Sequence, residues 1–358
     1  MQSKERILIA LECGEPDRVP IMEAGIDNAV LIELARLLEI DTKKLEGFRS
    51  HTNTEILDLY SLVVDKLGLD ATCLSFSTGL SPINDEYAQD KYGVVFRLSP
   101  HGQAIVVEGP IKEISDLKNF DMAAKLTLDD FASIRYVIQR VGPEKAHFVG
   151  VTDPFKISWL LRGGMEHLLM DYLLNPELVH ALMRVATDWA MAAVDMALDA
   201  GADVIFTDGD LAGGQTTLMS PEHYREYVKP YQKEIADHAH RQGLLIVKHT
   251  DGNVWPILND FVEIGYDGLH PVQPQCMDIV KVKERLKGKI CLLGNIDCQN
   301  LLFFGTEEEV KNAVRETIIR VAPGGGYILT SSNSIYPGCR AKNYIAMVRA
   351  AHEYGALK

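Results

Sequence analysis

Cysteine is scarce and unpatterned in this chain: six residues, Cys13, Cys73, Cys276, Cys291, Cys298 and Cys339, form no C-x-x-C pair and no short regular spacing. A chain of 358 residues does not depend on disulfide staples, so these read as the reduced thiols of a cytoplasmic protein. Long apolar runs are also missing. None reaches the ~18 residues that a bilayer span needs, and the opening segment Met1-Gln2-Ser3-Lys4-Glu5-Arg6 meets charge at once, unlike a secretion signal. No run of five basic residues occurs, and 36 Lys+Arg against 50 Asp+Glu leave a formal charge of −14. Such a surface repels phosphate backbones, which argues against nucleic acid as a partner. No G-x-G-x-x-G follows the first apolar run, which removes the usual sign of a doubly wound dinucleotide fold.

What is present is a repeated alternation. Short apolar, β-branched runs ending in a polar residue occur at Val19–Met22, Ala71–Phe76, His147–Val151, Val204–Thr207, Leu244–Lys248, Gly268–His270, Ile290–Gly294 and Tyr327–Thr330. Between them lie helical stretches with recognisable starts and stops. Asn175-Pro176 opens one that Gly201 ends; Ser220-Pro221-Glu222 opens another, which Pro230 should divide and Gly243 should close. Eight buried strands alternating with helices predict a (β/α)₈ barrel occupying residues 1–358 as one domain. Residues 84–119 interrupt the pattern. There Tyr92–Leu98, the loop Ser99-Pro100-His101-Gly102 and Ala104–Glu108 read as a β-hairpin inserted after strand two, either a lid over the mouth or a solvated decoration.

Chemistry in a barrel sits at the C-terminal ends of its strands. The expected ends carry Glu23, Asp153, Asp208 with Asp210, His249 with Asp251, His270, Asn295 with Asp297 and Cys298, and Ser331-Ser332-Asn333. His249 and Asp251 stand out, because an imidazole near neutrality can donate a proton to a leaving oxygen while a carboxylate two residues on fixes it. Asp208 and His270 complete the expected catalytic set. Glu23, Asp153, Asn295, Asp297 and Asn333 are expected to face substrate, with Phe155 and Tyr336, beside Phe76, Trp159 and Trp255, as walls for a flat molecule. A His/Cys set of His249, Cys298 and Cys339 would suit zinc, although the spacing is no recognised zinc signature and Cys298 could equally pack as a small hydrophobe.

The same segments resemble the uroporphyrinogen decarboxylase superfamily over nearly the whole chain. The resemblance rests on Ser3-Lys4-Glu5-Arg6 leading to Asp17-Arg18-Val19-Pro20, on Asp208, Ser220-Pro221-Glu222, His249-x-Asp251-Gly252 and Gly265-x-Asp267-Gly268-Leu269-His270-Pro271. Gly294-Asn295-Ile296-Asp297 and Gly324-Gly325-Gly326-Tyr327-Ile328-Leu329 complete it. It implies a (β/α)₈ barrel and one of two activities, decarboxylation or corrinoid-linked methyl transfer. The decarboxylase branch grips a polycarboxylate with an arginine-bearing motif after strand one, whereas Ile21–Ala35 here has no Lys or Arg and offers Glu23 and Asp27. Thiol methyltransferases of the other branch hold zinc with His-x-Cys and a later Cys; those places carry His249, Asp251 and, as aligned, Asn333. The resemblance therefore implies a methyltransferase with an oxygen- or nitrogen-linked donor, such as a small methoxylated compound. The Asp-x-His-x-x-Gly corrinoid motif is missing around all eleven histidines, so the cobalamin is expected on a separate corrinoid protein. Uroporphyrinogen decarboxylase, a corrinoid:thiol methyltransferase and a non-enzymatic tetrapyrrole- or corrinoid-protein-binding module remain the alternatives.

Overall fold

The computed structural model describes residues 1–41, 54–99 and 104–357. Seven parallel strands, β1 (Ala71–Ser75), β2 (Ala146–Thr152), β3 (Val204–Asp208), β4 (Leu245–His249), β5 (Gly268–His270), β6 (Cys291–Ile296) and β7 (Tyr327–Ser331), are hydrogen-bonded in chain order into one curled sheet. Each coincides, to within two residues at either end, with an apolar run recognised in the sequence.

The remaining run, Val19–Met22, does not form a ladder strand, and the expected count of eight is corrected to seven. It makes a single parallel bridge, Ile21 to Leu329. Pro20 has no N–H to donate, which prevents a continuous ladder at this point. The segment still links both edges of the sheet. Met22 N–H donates to Leu329 O (3.1 Å), Leu329 N–H to Pro20 O (2.9 Å), and Asp70 N–H, just before β1, to Ile21 O (2.8 Å).

Side chains alternate across each strand with period two. Ala71, Cys73, Phe148, Phe206, Val247, Leu293 and Ile328 pack on the inside of the curl, while Val149, Ile205, Ile246, Leu292 and Leu329 pack outward among the helices. Both faces are covered, which is why the strands read as unbroken apolar runs. The helix Ser3–Leu11 inserts Ile7, Ala10 and Leu11 into the inner cluster and seals the N-terminal end. Arg6 and Arg18 fix that seal through the buried Asp70, with Arg6 also paired to Asp17. The polar strand ends are left at the opposite rim.

The helix signals act where the sequence places them. Pro176–Ala200 ends at Gly201 in a left-handed conformation. Ser220 caps Pro221–Tyr227, and the chain breaks at Val228 before Lys229–Arg241 continues, as Pro230 dictates. Within 84–119, Val95–Leu98 pairs antiparallel with Ala104–Glu108, and Tyr87–Gln89 and Ser81–Pro82 extend this to four strands. Residues 100–103, which hold most of the expected Pro/Gly loop, lie outside the described residues. Among the described residues no helix is long and apolar enough to cross a membrane.

Candidate active site

The strand order and alternation put Asp208, His249 and His270 on the inner face at the C-terminal rim. His249 Nδ1 lies 2.7 Å from His270 Nδ1, and His270 Nε2 lies 3.2 Å from Thr330 Oγ1. The Thr330 hydroxyl donates to Ser331 O at 2.8 Å, so its oxygen accepts from His270 Nε2–H. Burial, reinforced by His249, pushes the His270 pKa well below the ordinary imidazole value and holds that ring neutral. With its proton on Nε2, His270 accepts from His249 Nδ1–H. The outer nitrogen of His249 is thereby turned to the mouth, 3.9 Å from Asp210 Oδ1.

Two carboxylates complete this centre. Asp251 Oδ2 accepts from Asn333 Nδ2 at 2.6 Å, and Asp251 N–H donates to Asp210 Oδ1 at 2.9 Å. Asp251 Oδ1 is buried without a hydrogen-bond partner. Burial raises the Asp251 pKa, opposed by His249 and reinforced by Asp210. One ligand atom each from Asp210, His249 and Asp251 falls within 4.8 Å of the other two. Lys156, Trp159, Met165, Asp208 and Gly209 line the same pocket, with the Lys156 ammonium 2.5 Å from Asp208.

A buried ion pair positions the loop between β3 and the pocket. Lys248 points away from the mouth, fully buried, with Nζ 2.7 Å from Asp153 Oδ2 and 2.9 Å from Gly209 O. Gln232 Nε2 donates to the same Asp153 oxygen, and Asp153 Oδ1 caps the helix Pro154–Arg162. Gly209 has φ +145°, and a Cβ there would meet Asp153 Cβ at 2.7 Å. Asp153, 1% exposed, is therefore engaged as an anchor of the Asp208–Asp210 loop. Lys248→Met leaves a buried carboxylate unpaired and is expected to cost about 3–5 kcal/mol, measured by urea unfolding. A cost below roughly 1 kcal/mol would contradict the clamp.

Other expected site residues are placed elsewhere. Phe155 is fully buried in the outer core and forms no wall of the pocket. Asn295 donates to Val272 O and opens on a separate depression beside Cys276 and Arg320. Asp297 caps the turn through the N–H groups of Gln299 and Asn300. The His249–Cys298–Cys339 set is not assembled. Cys298 Sγ accepts from Ser332 Oγ at 3.3 Å, Cys339 Sγ donates to Cys298 O at 3.3 Å, and Tyr336 OH donates to that carbonyl at 3.5 Å. Burial pushes the Cys298 thiol up and the Cys339 thiol to about 12, so both stay protonated. Of the remaining aromatics, Trp159 lines the His249 pocket, Phe76 lines a neighbouring cavity and Trp255 is 43% exposed.

Glu23 is also withdrawn from the mouth, 3% exposed and accepting from Ser331 Oγ at 2.7 Å. Burial lifts its pKa to about 8 from a usual 4.5. The folded state keeps a proton that the unfolded state has lost, so this group's stabilising contribution is complete below pH about 4.5 and is lost as pH rises to about 8. Glu23→Gln, permanently neutral, should gain stability over wild type as pH goes from 5 to 8 in urea titrations. A constant difference across that range would refute the buried-acid assignment.

Sequence reasoning named Asp210 without giving it a role and passed over Lys248, although a lysine closing the run Leu244–Val247 was a signal that a buried counter-ion awaits it.

A family model described as uroporphyrinogen decarboxylase matches residues 2–354. The chain is 24% identical over 363 aligned residues to the methylcobamide:CoM methyltransferase MtaA of Methanosarcina barkeri, covering 99% of this chain and 98% of that one. It is 26% identical to a uroporphyrinogen decarboxylase of Coxiella burnetii, with 98% and 95% covered. Among solved structures, a methyltransferase from Methanosarcina mazei superposes with a TM-score of 0.76 at 23% identity, covering 99% of both chains, and shares the fold.

Proposed function

The chain belongs to the uroporphyrinogen decarboxylase family, and from that premise we propose that it is a methyltransferase passing a methyl group from a small methoxylated donor to the cobalamin of a separate corrinoid protein. In this reading Val19–Met22, bonded to β7 and to the start of β1, closes the seven-stranded sheet into a barrel without adding a ladder strand, residues 84–119 cover its mouth, and the protein works in the cytoplasm. The observation that carries the proposal is the convergence of Asp210, His249 and Asp251 at the rim, with one buried carboxylate oxygen left without a partner. These residues replace a thiolate set with nitrogen and oxygen donors, which suits activation of an oxygen leaving group. The relatives named as methylcobamide:CoM methyltransferases support a corrinoid partner.

In the reaction the methyl carbon–oxygen bond breaks, its electron pair stays on oxygen, and the reduced corrinoid of the partner supplies the pair that takes the methyl group. An alkoxide or phenolate leaves poorly unless its charge is met in the transition state. His249, Asp210 and Asp251 offer one nitrogen and two carboxylates, a fit for a divalent cation such as zinc. Bound there, it would supply Lewis-acid polarisation of the leaving oxygen. The protein's own residues prepare the place: His270 fixes the His249 ring, Asn333 holds Asp251, and the Lys248–Asp153 pair sets the backbone that carries Asp210. Trp159 and Met165 provide an apolar wall against water.

A polycarboxylate porphyrinogen would meet Asp208, Asp210 and Asp251, while Lys156 is already paired with Asp208. The purified chain is expected to give no measurable decarboxylation of uroporphyrinogen at neutral pH, and to demethylate a methoxylated donor only when a corrinoid protein in its Co(I) state is added. Coproporphyrinogen forming at ordinary enzymic rates, with no partner present, would overturn the proposal.

A further inference from the structure

At the N-terminal ends of the strands, opposite the His249 rim, two glycines flank a cysteine. Gly268 of β5 pairs with Cys291 of β6, and Leu292 pairs with Tyr327, so Gly326 is the neighbour of Cys291 on its other side. The space that their missing side chains leave is filled from the N-terminal helix and the turn after it. A Cβ at Gly268 would meet Leu11 Cδ2 at 3.2 Å, and one at Gly326 would meet Cys13 Cα, Cys13 Sγ and Lys283 Nζ, each at 3.3 Å. Cys13 thus lies over the strand neighbour of Cys291, about one strand spacing, roughly 4.8 Å, to its side. Bridging two cysteines needs their α-carbons within roughly 7 Å, which the turn at Cys13 meets with little movement.

Nothing in the local backbone asks for a cysteine at 13. Cys13 N–H donates to Ala10 O at 3.0 Å and Gly14 N–H to Ile9 O at 2.8 Å, the paired bonds that close a helix through one left-handed residue. That residue is Cys13 itself, with φ +61°, where glycine or asparagine is favoured. Its thiol is half-buried whereas Cys291 is fully buried, so a small solute reaches Cys13 first.

Lys283 is the third member of the cluster. It is 8% exposed, and its Nζ donates to the carbonyls of Gly325 and Gly326, the latter at 2.9 Å, with no carboxylate paired to it among the described residues. Burial lowers its pKa. Burial also raises both thiols, with Asp267 adding to the rise and Lys283 opposing it at each. An amine held in this way takes up a thiol proton and steadies the thiolate left behind.

We propose that Cys13 and Cys291 are a redox-sensitive pair that hydrogen peroxide closes into a disulfide, stapling the N-terminal seal to β6, with Lys283 as the proton acceptor. Cys13 passes its proton to Lys283 and the thiolate attacks one peroxide oxygen; the O–O bond breaks, the proton returns to the departing hydroxide, and Cys13 carries a sulfenic acid. Cys291 then loses its proton through Lys283. Its sulfur attacks the Cys13 sulfur, the S–O bond breaks, and the hydroxide takes that proton and leaves as water. Two thiols and one peroxide thus give one disulfide and two waters, the sulfurs oxidised by two electrons and the peroxide reduced by two. The site lies at the far end of the fold from His249 and is independent of the methyltransferase reading.

The full chain, reduced and then exposed to a small excess of hydrogen peroxide, is expected to lose two of its six titratable thiols. Peptide mapping by mass spectrometry should find Cys13 joined to Cys291, lighter by two hydrogens and restored by dithiothreitol. The closed form should unfold at a midpoint at least about 3 °C above the reduced form. Cys13→Gly suits the left-handed backbone and so keeps the fold, and it should abolish both the joined peptide and the shift. Cys291→Ala should instead leave a Cys13 sulfenic acid that dimedone traps. Lys283→Met, checked for fold by circular dichroism, should slow closure by roughly 10-fold or more. All six thiols retained, Cys13 joined to Lys283 or to a different cysteine, or a disulfide between two chains would overturn the pairing. Closure at the wild-type rate in folded Lys283→Met would remove Lys283 from it.

Discussion

His249→Ala is expected to lower methyl transfer by roughly 10²-fold or more, the scale on which a positioned acid, or a comparable group at a leaving oxygen, contributes. The fold should survive. His249 closes β4 at the rim, outside the packed layers of Val204, Phe206 and Val247 that fill the curl. Its loss does leave His270 Nδ1 without a donor, which is worth on the order of 1–3 kcal/mol of stability. The rate effect must therefore be read from folded protein, with circular dichroism and unfolding midpoints recorded beside it. Leaving-group dependence makes the measurement specific. Methyl ethers of acidic phenols leave with less help, so the deficit should shrink along a series of increasingly acidic phenols. A variant with unchanged turnover across that series would return His249 to a structural role. His270→Ala should act on the same step through ring orientation, raising KM little while lowering kcat.

The seven ladder strands were legible because each is buried on both faces and so reads as a short apolar run between capped helices. The remaining run, Val19–Met22, was misjudged because composition cannot show that Pro20 forfeits the ladder bond at the one place where the sheet edges meet. Asking what ends each strand picks out His249, Asp208 and His270, which the structure sets on the inward face of the curl. The same question also picks out Asp153, Glu23 and Asn295, whose side chains are engaged elsewhere, because a polar strand end can turn outward or fold under. Asp153 turns to Lys248 and Gln232, Glu23 to Ser331, and Asn295 to Val272 O. The two cysteines do not gather around His249, for a tertiary reason. Cys298 and Cys339 meet each other through a carbonyl instead of converging on His249. Asp210 needed the geometry: only the glycine between it and Asp208, tethered to Lys248, brings its carboxylate to the histidine.

Chelation should separate the two ways in which His249 could assist departure of the oxygen. A ring nitrogen that ligates a cation cannot also deliver a proton, and His249 has a single nitrogen turned to the mouth, since Nδ1 is engaged with His270. The orphaned Asp251 oxygen decides the expectation. A buried carboxylate oxygen without a donor costs free energy unless a cation takes the place of water. Exhaustive treatment with a strong chelator is therefore expected to abolish methyl transfer, at least about 10²-fold, with activity restored by stoichiometric zinc or a neighbouring divalent ion. Metal analysis of the purified protein should give about one ion per chain, and that ion should be lost in Asp251→Asn and Asp210→Asn but kept in Cys298→Ser and Cys339→Ser. Since the ligands must be deprotonated, metal affinity should fall as pH drops, and the burial that raises the Asp251 pKa moves that residue's share of the fall to higher pH. A fully active protein free of metal would eliminate the cation and assign the step to the proton of His249. In that case the acid-phenol series with His249→Ala would still show its graded deficit, whereas a chelated wild type would show none.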